Sequence, residues 1–297
     1  MVMWRTVAAL SLSLLVTGCF PTQRESMPSP SPLTPEQPPE PRTAPTTPVP
    51  ATPHAVRTTT PDLRDGWEKT GRTDNPELRH RAADQFPHIV FYRGPATVRQ
   101  AALTFDDGPD VTYTTRILDI LRREGIHATF FIVGQRAQAH PEMVRRIVAE
   151  GHVVGNHSWD HPNFTKLSIA EIRSELIRTN DLLRSLVGYT PDLFRPPYGE
   201  LTPALVQTIG SMGFKIIDWS VDTRDWAGTP VPTIMNYVRK EITPGGIILE
   251  HCAGGRGERL DNTVEALPRI ISYLRNQGYS FVTIPELLHV PATIGTS

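Results

Sequence analysis

Cysteine is almost absent from this chain of 297 residues, which contains only Cys19 and Cys252. Two cysteines are too few for a zinc ribbon or for a framework of several disulfides. Excess charge is absent as well, because the formal net charge at pH 7 is −1. This balance gives no electrostatic basis for binding nucleic acid or an acidic polymer, and we expect neither as a partner.

The N-terminus carries an apolar run, Val7–Val16, that is too short to span a bilayer comfortably. Arg5 supplies the positive flank, so residues 1–18 are predicted to be an export signal. The run is followed by Gly18 and Cys19, a pattern that resembles a bacterial lipoprotein signal. We therefore predict cleavage before Cys19 and a lipid on its thiol. An ordinary signal peptide with an incidental cysteine is the alternative.

Proline is concentrated in one place, since 13 of the 29 prolines fall between residues 21 and 61. Few apolar side chains accompany them, so residues 19–61 are predicted to be a lipidated, Pro/Thr-rich disordered tether. At about 3.1 Å per residue it could reach roughly 120 Å from a membrane. Residues 62–97 form a lead-in that ends in a short strand around His88–Tyr92. Residues 98–290 are the predicted folded domain, and residues 291–297 are a tail.

The predicted domain alternates apolar, strand-like runs with helical periods, which indicates an α/β fold with a parallel sheet. The strand-like runs are Ala101–Phe105, Ala128–Val133, His152–Gly155, Leu193–Phe194, Phe214–Trp219, Gly246–Leu249 and Ser280–Ile284. The helical periods are Thr114–Arg123, Pro141–Glu150, Ile169–Leu186, Pro203–Met212, Thr233–Glu241 and Thr263–Gln277. This number of units in so few residues favours a closed, compact barrel of about seven parallel strands over a long open sheet. Functional residues of such barrels lie at the carboxyl ends of the strands.

The first strand-like run ends on two adjacent carboxylates, Asp106 and Asp107, before Gly108 and Pro109 break the backbone. Successive residues of a strand point to opposite faces. One carboxylate can therefore bind a cation while the other handles a proton. A helix cap is the alternative reading of this pattern.

His157 and His161 follow the third run and stand four residues apart, so one helical turn would bring both rings to the same side. Two imidazoles and one carboxylate are a common set of ligands for a divalent metal. With Asp107 at another strand end, a metal site is predicted. Two surface histidines in a loop are the alternative.

Arg195 opens an Arg-Pro-Pro-Tyr segment after the fourth run. The tandem prolines fix the backbone, so the N–H of Tyr198 is suited to stabilise developing negative charge. Arg195 would orient Asp106 through charge-assisted hydrogen bonds. The alternative is a turn in which Arg195 makes an ordinary surface ion pair.

His251 ends the sixth run, and Asp225 offers a partner that would raise the pKa of its imidazole. His251 would then be a proton donor, and Trp226 and Leu249 would wall an apolar pocket for a methyl group. A core histidine bonded to the backbone is the alternative. Cys252 is predicted to be a small buried filler, and both Cys252 and Glu250 should face away from His251.

Five motifs now stand in order: Thr-Phe-Asp-Asp-Gly, His-Ser-x-x-His, Arg-Pro-Pro-Tyr, Asp-x-x-Asp-Trp and Leu-x-His. Together they resemble the polysaccharide deacetylases, the NodB-homology or family 4 carbohydrate esterases, over about residues 98–290. The resemblance implies a distorted (β/α) barrel. It also implies a divalent metal, usually zinc or cobalt, on Asp107, His157 and His161. One departure is Cys252-Ala253, where members commonly have Asp-Gly.

The resemblance further implies a role for each remaining site residue. Asp106 would be the general base, steered by Arg195. His251, tuned by Asp225, would protonate the departing amine. The N–H of Tyr198 would hold the acetamide oxygen, and the substrate pocket is expected to include Pro197 with Trp226 and Leu249.

We therefore expect a secreted, lipid-anchored, metal-dependent N-deacetylase of N-acetylglucosamine polymers, acting outside the cytoplasm as a monomer. Peptidoglycan is the first candidate glycan, followed by chitin-like oligomers or an exopolysaccharide. The alternatives are an O-acetyl esterase acting on xylan and a wall-binding lipoprotein without catalysis.

Overall fold

The computed structural model describes residues 60–64, 76–255 and 257–293. Nine strands of these residues form one sheet: β1 (Val90–Phe91), β2 (Gln100–Gly108), β3 (Thr129–Ile132), β4 (Val153–Asn156), β5 (Leu193–Phe194), β6 (Lys215–Ile217), β7 (Val221–Asp222), β8 (Gly246–His251) and β9 (Ser280–Phe281). The helices are α1 (Pro76–Gln85), α2 (Tyr113–Glu124), α3 (Gly134–Ala139), α4 (Pro141–Ala149), α5 (Ile169–Val187), α6 (Pro203–Ser211), α7 (Val231–Glu241), α8 (Asp261–Asn276) and α9 (Ile284–Leu288).

The sheet has the order β1-β6-β5-β4-β3-β2-β8-β7, and β9 pairs with β2. Every ladder between these strands is parallel. Within the described part of the chain, no ladder joins the two edge strands, β1 and β7. The fold is therefore a half-barrel of parallel strands with helices around it, which confirms the expected distorted (β/α) architecture but not the expected closure of the barrel.

Strand β2 lies in the middle of the sheet and is covered on both faces. Leu103 and Phe105 pack into the cluster that contains the apolar side chains of α2 and α8. Ala102 points to the opposite, inner face, where it packs with Trp219 and with Leu287 of α9. Burial on both faces is typical of parallel sheets and explains the continuous apolar run in the sequence.

Local signals set the ends of the longest helix, α5. The Ser168 side chain accepts a hydrogen bond from the Glu171 N–H, and the Glu171 carboxylate accepts one from the Ser168 N–H at 2.8 Å, which is a capping box. The helix is capped at its C-terminus by Gly188, whose φ of 83° is accessible to glycine without strain.

The six predicted helices are present, with ends shifted by a few residues, and the structure adds α1, α3 and α9. The sheet has nine strands rather than about seven, because β7 has only two residues and β1, predicted in the lead-in, pairs with β6. The strand predicted over Ser280–Ile284 is too long. It stops at Phe281, because Thr283 and Glu286 form a capping box that starts α9.

Several predictions concern residues that the structure does not describe. The export signal of residues 1–18, the lipidation site Cys19 and the tether up to residue 59 lie outside the described residues, as do residues 294–297. Among the described residues, no helix combines the length and the apolar character needed to cross a membrane.

Candidate active site

The predicted site residues gather at the carboxyl ends of the strands. Asp106 and Asp107 lie near the end of β2, and His251 is the last residue of β8. His157 directly follows β4, and Arg195 directly follows β5. The carboxyl ends of parallel strands lie at the same edge of a sheet, so the parallel half-barrel brings these side chains together.

Asp107, His157 and His161 each offer one ligand atom, and these atoms lie within 4.8 Å of one another. Nε2 of His157 is 3.4 Å and Nε2 of His161 is 3.3 Å from Oδ1 of Asp107. All three atoms are buried and have no hydrogen-bond partner among the described residues. Buried polar atoms are normally satisfied. The three lone pairs therefore fit a divalent cation bound between them.

An irregular loop, and not the predicted helical turn, brings the two histidines together. Ser158 and His161 have positive φ angles of 70° and 63°, which a helix does not contain. The loop is held by its own polar side chains: Ser158 N–H donates to Asn156 Oδ1 at 2.8 Å, and His161 N–H donates to Ser158 Oγ at 3.0 Å. The Nδ1 atom of His157 lies 2.7 Å from the carbonyl oxygen of Arg195, which orients Nε2 towards Asp107.

The electrostatics of this group suit cation binding. Burial raises the pKa of Asp107, but His161 and His157 outweigh burial and hold that pKa well below its ordinary value. Burial lowers the pKa of His161 to about 3, against the opposing effect of Asp107. Burial also lowers the pKa of His157, yet the carboxylates of Asp106 and Asp107 raise it above its ordinary value overall. An ionised Asp107 and a neutral His161 are the forms in which these side chains bind metals.

Asp106 is held by Arg195 on one side and faces the ligand group on the other. Nη1 of the buried Arg195 donates to Oδ1 of Asp106 at 2.8 Å and to Oγ1 of Thr104 at 2.8 Å. The guanidinium carbon of Arg195 lies 4.2 Å from the centre of the Phe131 ring. Oδ2 of Asp106 is 3.8 Å from Nε2 of His157. The structure thus places the two side chains together as the sequence predicted.

Asp225 and His251 are also in contact. Nδ1 of His251 is 2.8 Å from Oδ1 of Asp225, and the His251 N–H donates to Oδ2 of the same carboxylate at 2.8 Å. Thr263 Oγ1 donates to Oδ2 at 2.8 Å, and the Trp226 N–H donates to Oδ1 at 2.9 Å. Burial raises the pKa of Asp225, but the charge and hydrogen bonds of His251 bring it below its ordinary value.

The remaining predicted residues lie around this group. Pro197 and Tyr198 are buried in the turn after β5, and the Tyr198 ring centre is 4.8 Å from that of His161. Leu249 is buried on the inner face of β8, and Trp226 is half-buried. The methyl pocket and the oxyanion role of the Tyr198 N–H stay predictions.

The two residues beside His251 face away from it, as expected. Cys252 belongs to the core cluster on the helix side, and its Sγ donates to the carbonyl oxygen of Asp106 at 3.3 Å. A Cβ atom at Gly108 would come within 2.5 Å of that sulfur, so Cys252 fills space that glycine leaves open. Glu250 is fully buried, and burial raises the pKa of its carboxyl group well above the ordinary value.

Sequence reasoning missed three residues that support the site: Arg136, Thr104 and Thr263. Arg136 is buried and donates from Nη1 to the carbonyl oxygen of Asp107 at 2.7 Å. It lies in the first turn of α3, the helix that follows β3. Scanning the residues after every strand end for charged side chains would have found it. Thr263 lies in the first turn of α8, and no sequence signal connects it with Asp225.

Sequence and structure comparisons identify similar proteins. A family profile described as polysaccharide deacetylase matches residues 93–217. A peptidoglycan-N-acetylglucosamine deacetylase of Bacillus cereus is 43% identical over 196 residues, 66% of this chain and 70% of that protein. One of Listeria monocytogenes is 39% identical over 199 residues, 67% of this chain and 41% of that protein. The crystal structure of a peptidoglycan N-acetylglucosamine deacetylase has a TM-score of 0.66 at 41% identity, covering 68% of this chain and 94% of that one.

Proposed function

This chain belongs to the polysaccharide deacetylase family, family 4 of the carbohydrate esterases, and on that premise we propose that it is a metal-dependent N-deacetylase of peptidoglycan. It would remove the acetyl group of N-acetylglucosamine residues and release acetate. One observation carries the proposal: the ligand group, the Asp106–Arg195 pair and the Asp225–His251 pair share one edge of the sheet. The glycan named for the relatives from Bacillus cereus and Listeria monocytogenes supports peptidoglycan.

Asp107, His157 and His161 would hold the divalent cation, with zinc or cobalt as the first candidates. Such a cation polarises a carbonyl group and makes water a stronger acid. Arg195 makes two contacts with the site. Its guanidinium orients Asp106, and its carbonyl oxygen orients the ring of His157. One residue thus links the general base to a metal ligand.

The proton transfers belong to two neighbouring side chains. Asp106 and His251 are register partners on the adjacent strands β2 and β8, so their side chains lie on the same face. Asp106 accepts a proton at Oδ2 as water adds to the acetamide carbon. His251, whose Nδ1 is held by Asp225, gives a proton from Nε2 to the nitrogen as the C–N bond breaks. Acetate and a glucosamine residue are the products.

The buried turn after β5 would stabilise the charge that develops on the acetamide oxygen. Tyr198 has a φ of 66°, and Pro197 precedes it, so the position of its N–H is fixed by the backbone. We propose that Pro197, Trp226 and Leu249 line the pocket for the methyl group.

We also propose that Cys19 carries a lipid that anchors the protein on the outer side of a bacterial membrane. The Gly18-Cys19 pair after an apolar run supports this location. Labelling of growing cells with a tagged fatty acid should mark the wild-type chain and not Cys19→Ala. An unlabelled wild-type chain would contradict lipidation.

The function is tested by acetate release from peptidoglycan, N-acetylglucosamine oligomers and acetylated xylan, with the full-length protein. Metal is removed with a chelator, and zinc or cobalt is then restored. Asp106→Asn should lower turnover by about 10²–10⁴-fold, whereas Asp181→Asn, an exposed aspartate of α5, should be as active as wild type. Release only from xylan would show an esterase, and binding without any release would favour the non-catalytic alternative.

A further inference from the structure

A short N-terminal segment lies against the rim of the active site. This segment comprises residues 60–64, which we call the strap, and its residue Leu63 is buried. The Arg64 N–H donates to the carbonyl oxygen of Asp160 at 2.8 Å, within the loop that carries the two histidines. Oγ1 of Thr60 is 3.2 Å from Nε2 of His140 at the start of α4. The strap is therefore attached at both of its ends.

Arg136 connects the strap with two other parts of the site. Its Nε donates to the carbonyl oxygen of Pro61 at 3.1 Å, and its Nη1 to that of Asp107 at 2.7 Å. Its Nη2 donates to the carbonyl oxygen of Gly254, in the loop after His251, at 2.8 Å. Only 1% of Arg136 is exposed. One guanidinium thus holds three separate segments of the chain.

The hydrogen bond from Arg136 to Asp107 is accepted by a residue whose backbone is strained. Asp107 has a φ of 68°, in the left-handed region that residues other than glycine rarely adopt. Such a conformation persists only where the surroundings hold it. The same backbone conformation sets the direction of the carboxylate, whose Oδ1 faces His157 and His161. By holding this backbone conformation, the hydrogen bond from Arg136 restricts the directions in which the carboxylate of Asp107 can point.

The strap also borders a cavity of about 560 Å³ beside the site. The strap supplies Thr60, Pro61 and Asp62 to one wall, and the loop after β8 supplies Gly255 and Glu258 to another. Arg136 donates hydrogen bonds to both segments, to Pro61 in the strap and to Gly254 in the loop, and so holds the two walls of the cavity at a fixed distance.

We propose that Arg136 is a positioning residue that aims Asp107 at the cation site and joins the strap to the loop after His251. The strap is then part of the substrate cleft and not only the end of the tether. This inference rests on the proposed function. It adds a residue outside all five sequence motifs, and its first readout is cation binding, which requires no glycan.

The experiment measures the affinity of the chelator-treated, full-length protein for Co²⁺ by the visible absorption of the bound ion. Arg136→Met should weaken the affinity by about 10–100-fold, as expected when a residue that orients a ligand is lost. Arg136→Lys should weaken it less, because an ammonium keeps the charge but cannot span three carbonyl groups. The matched control is Arg146→Met on α4, which loses ion pairs of 2.6 Å to Asp119 and Glu150 away from the site and should keep wild-type affinity.

Leu63→Asp tests the strap separately, since it removes the apolar anchor and leaves Arg136 in place. It should raise KM for peptidoglycan fragments more than it changes Co²⁺ affinity. Wild-type affinity in Arg136→Lys would overturn the role of Arg136, even if Arg136→Met fails to fold. A wild-type KM in Leu63→Asp would overturn the role of the strap. Failure of the wild-type chain to bind Co²⁺ would instead refute the proposed cation site, and this inference with it.

Discussion

The two central carboxylates of the candidate active site, Asp225 and Asp107, differ in how their oxygen atoms are partnered. The carboxylate of Asp225 accepts hydrogen bonds on both oxygens, from the His251 ring and backbone, from Thr263 and from a backbone N–H. On the other side, Oδ1 of Asp107 and Nε2 of both histidines are buried without a hydrogen-bond partner among the described residues. We call these the acid half and the cation half.

The difference shows which part of the site the protein completes by itself. In the acid half, hydrogen bonds within the protein orient His251, so its position does not depend on a bound ion. The cation half leaves buried polar atoms unsatisfied, which is unfavourable unless a ligand takes them up. Substitutions in the cation half should therefore change ion affinity, and those in the acid half should change turnover without changing ion affinity.

The largest effect is expected from Asp107→Ala, which removes the charged ligand of the cation half. Co²⁺ binding and acetate release should both fall below detection, because the two remaining imidazoles carry no negative charge to offset the desolvation of the ion. Titration with Co²⁺ and an acetate assay on the same samples provide the measurement. Wild-type acetate release from this variant would show that the cation half is not required.

Asp225→Asn should give the next largest effect and should act on turnover. The neutral amide cannot hold the His251 ring as the carboxylate does, so kcat should fall by about 10²-fold at saturating Co²⁺. The affinity for Co²⁺ should remain that of wild type. Loss of ion binding in this variant would contradict the division of the site into two halves.

The contributions of the two halves to the free energy of unfolding should also change in different pH ranges. Burial lowers the pKa of His161 from 6.5 to about 3, so the unfolded chain takes up a proton at a pH where the folded chain does not. Acidification from pH 7 to pH 5 should therefore destabilise the cation-free protein by about 2 kcal/mol through this residue. The pKa of Asp225 lies below the ordinary 3.8, so its contribution is lost only as the pH falls below that value.

Urea unfolding at several pH values provides the measurement. The difference in unfolding free energy between wild type and His161→Gln should shrink as the pH falls from 7 to 5. The difference between wild type and Asp225→Asn should not shrink over the same range, because Asp225 stays ionised and a protonated His251 strengthens the pair. If both differences behave alike, the electrostatic contrast between the halves is wrong.

The smallest effect is expected from Thr263→Val, which removes one of the hydrogen bonds to Asp225. The loss should be about 1 kcal/mol of unfolding free energy, with a decrease of kcat that is smaller than for Asp225→Asn. Thr208→Val is the control, because the Thr208 hydroxyl donates only within α6, to the carbonyl oxygen of Ala204. Equal effects of the two variants would argue against a role for Thr263 in the acid half.

Five of the residues that sequence reasoning found share a simple property, because each lies near the end of a strand or directly after it: Asp106, Asp107, His157, Arg195 and His251. Asp106, Asp107 and His251 could be placed at one edge of a parallel sheet from the amino-acid pattern alone. The partners Arg195 and Asp225 followed from the charges that those residues need. The structure pairs Asp106 with Arg195 and His251 with Asp225, and it places Asp107 beside His157.

The elements that the sequence did not predict leave no periodic pattern in it. Strand β7 has two residues, which is too short for a period to appear. The histidine loop uses positive φ angles stabilised by Asn156 and Ser158, which the spacing of His157 and His161 does not reveal. The strap and β1 precede residue 98, where the sequence placed the start of the domain, yet both contact it.

One titration tests the central claim that a divalent cation completes this site. Chelator-treated, full-length protein would receive zinc in small steps, and acetate release from N-acetylglucosamine oligomers would be measured at each step. We expect no release without the ion and a linear rise that levels off at one equivalent of zinc. Full release by the metal-free protein, unchanged by added zinc, would contradict it.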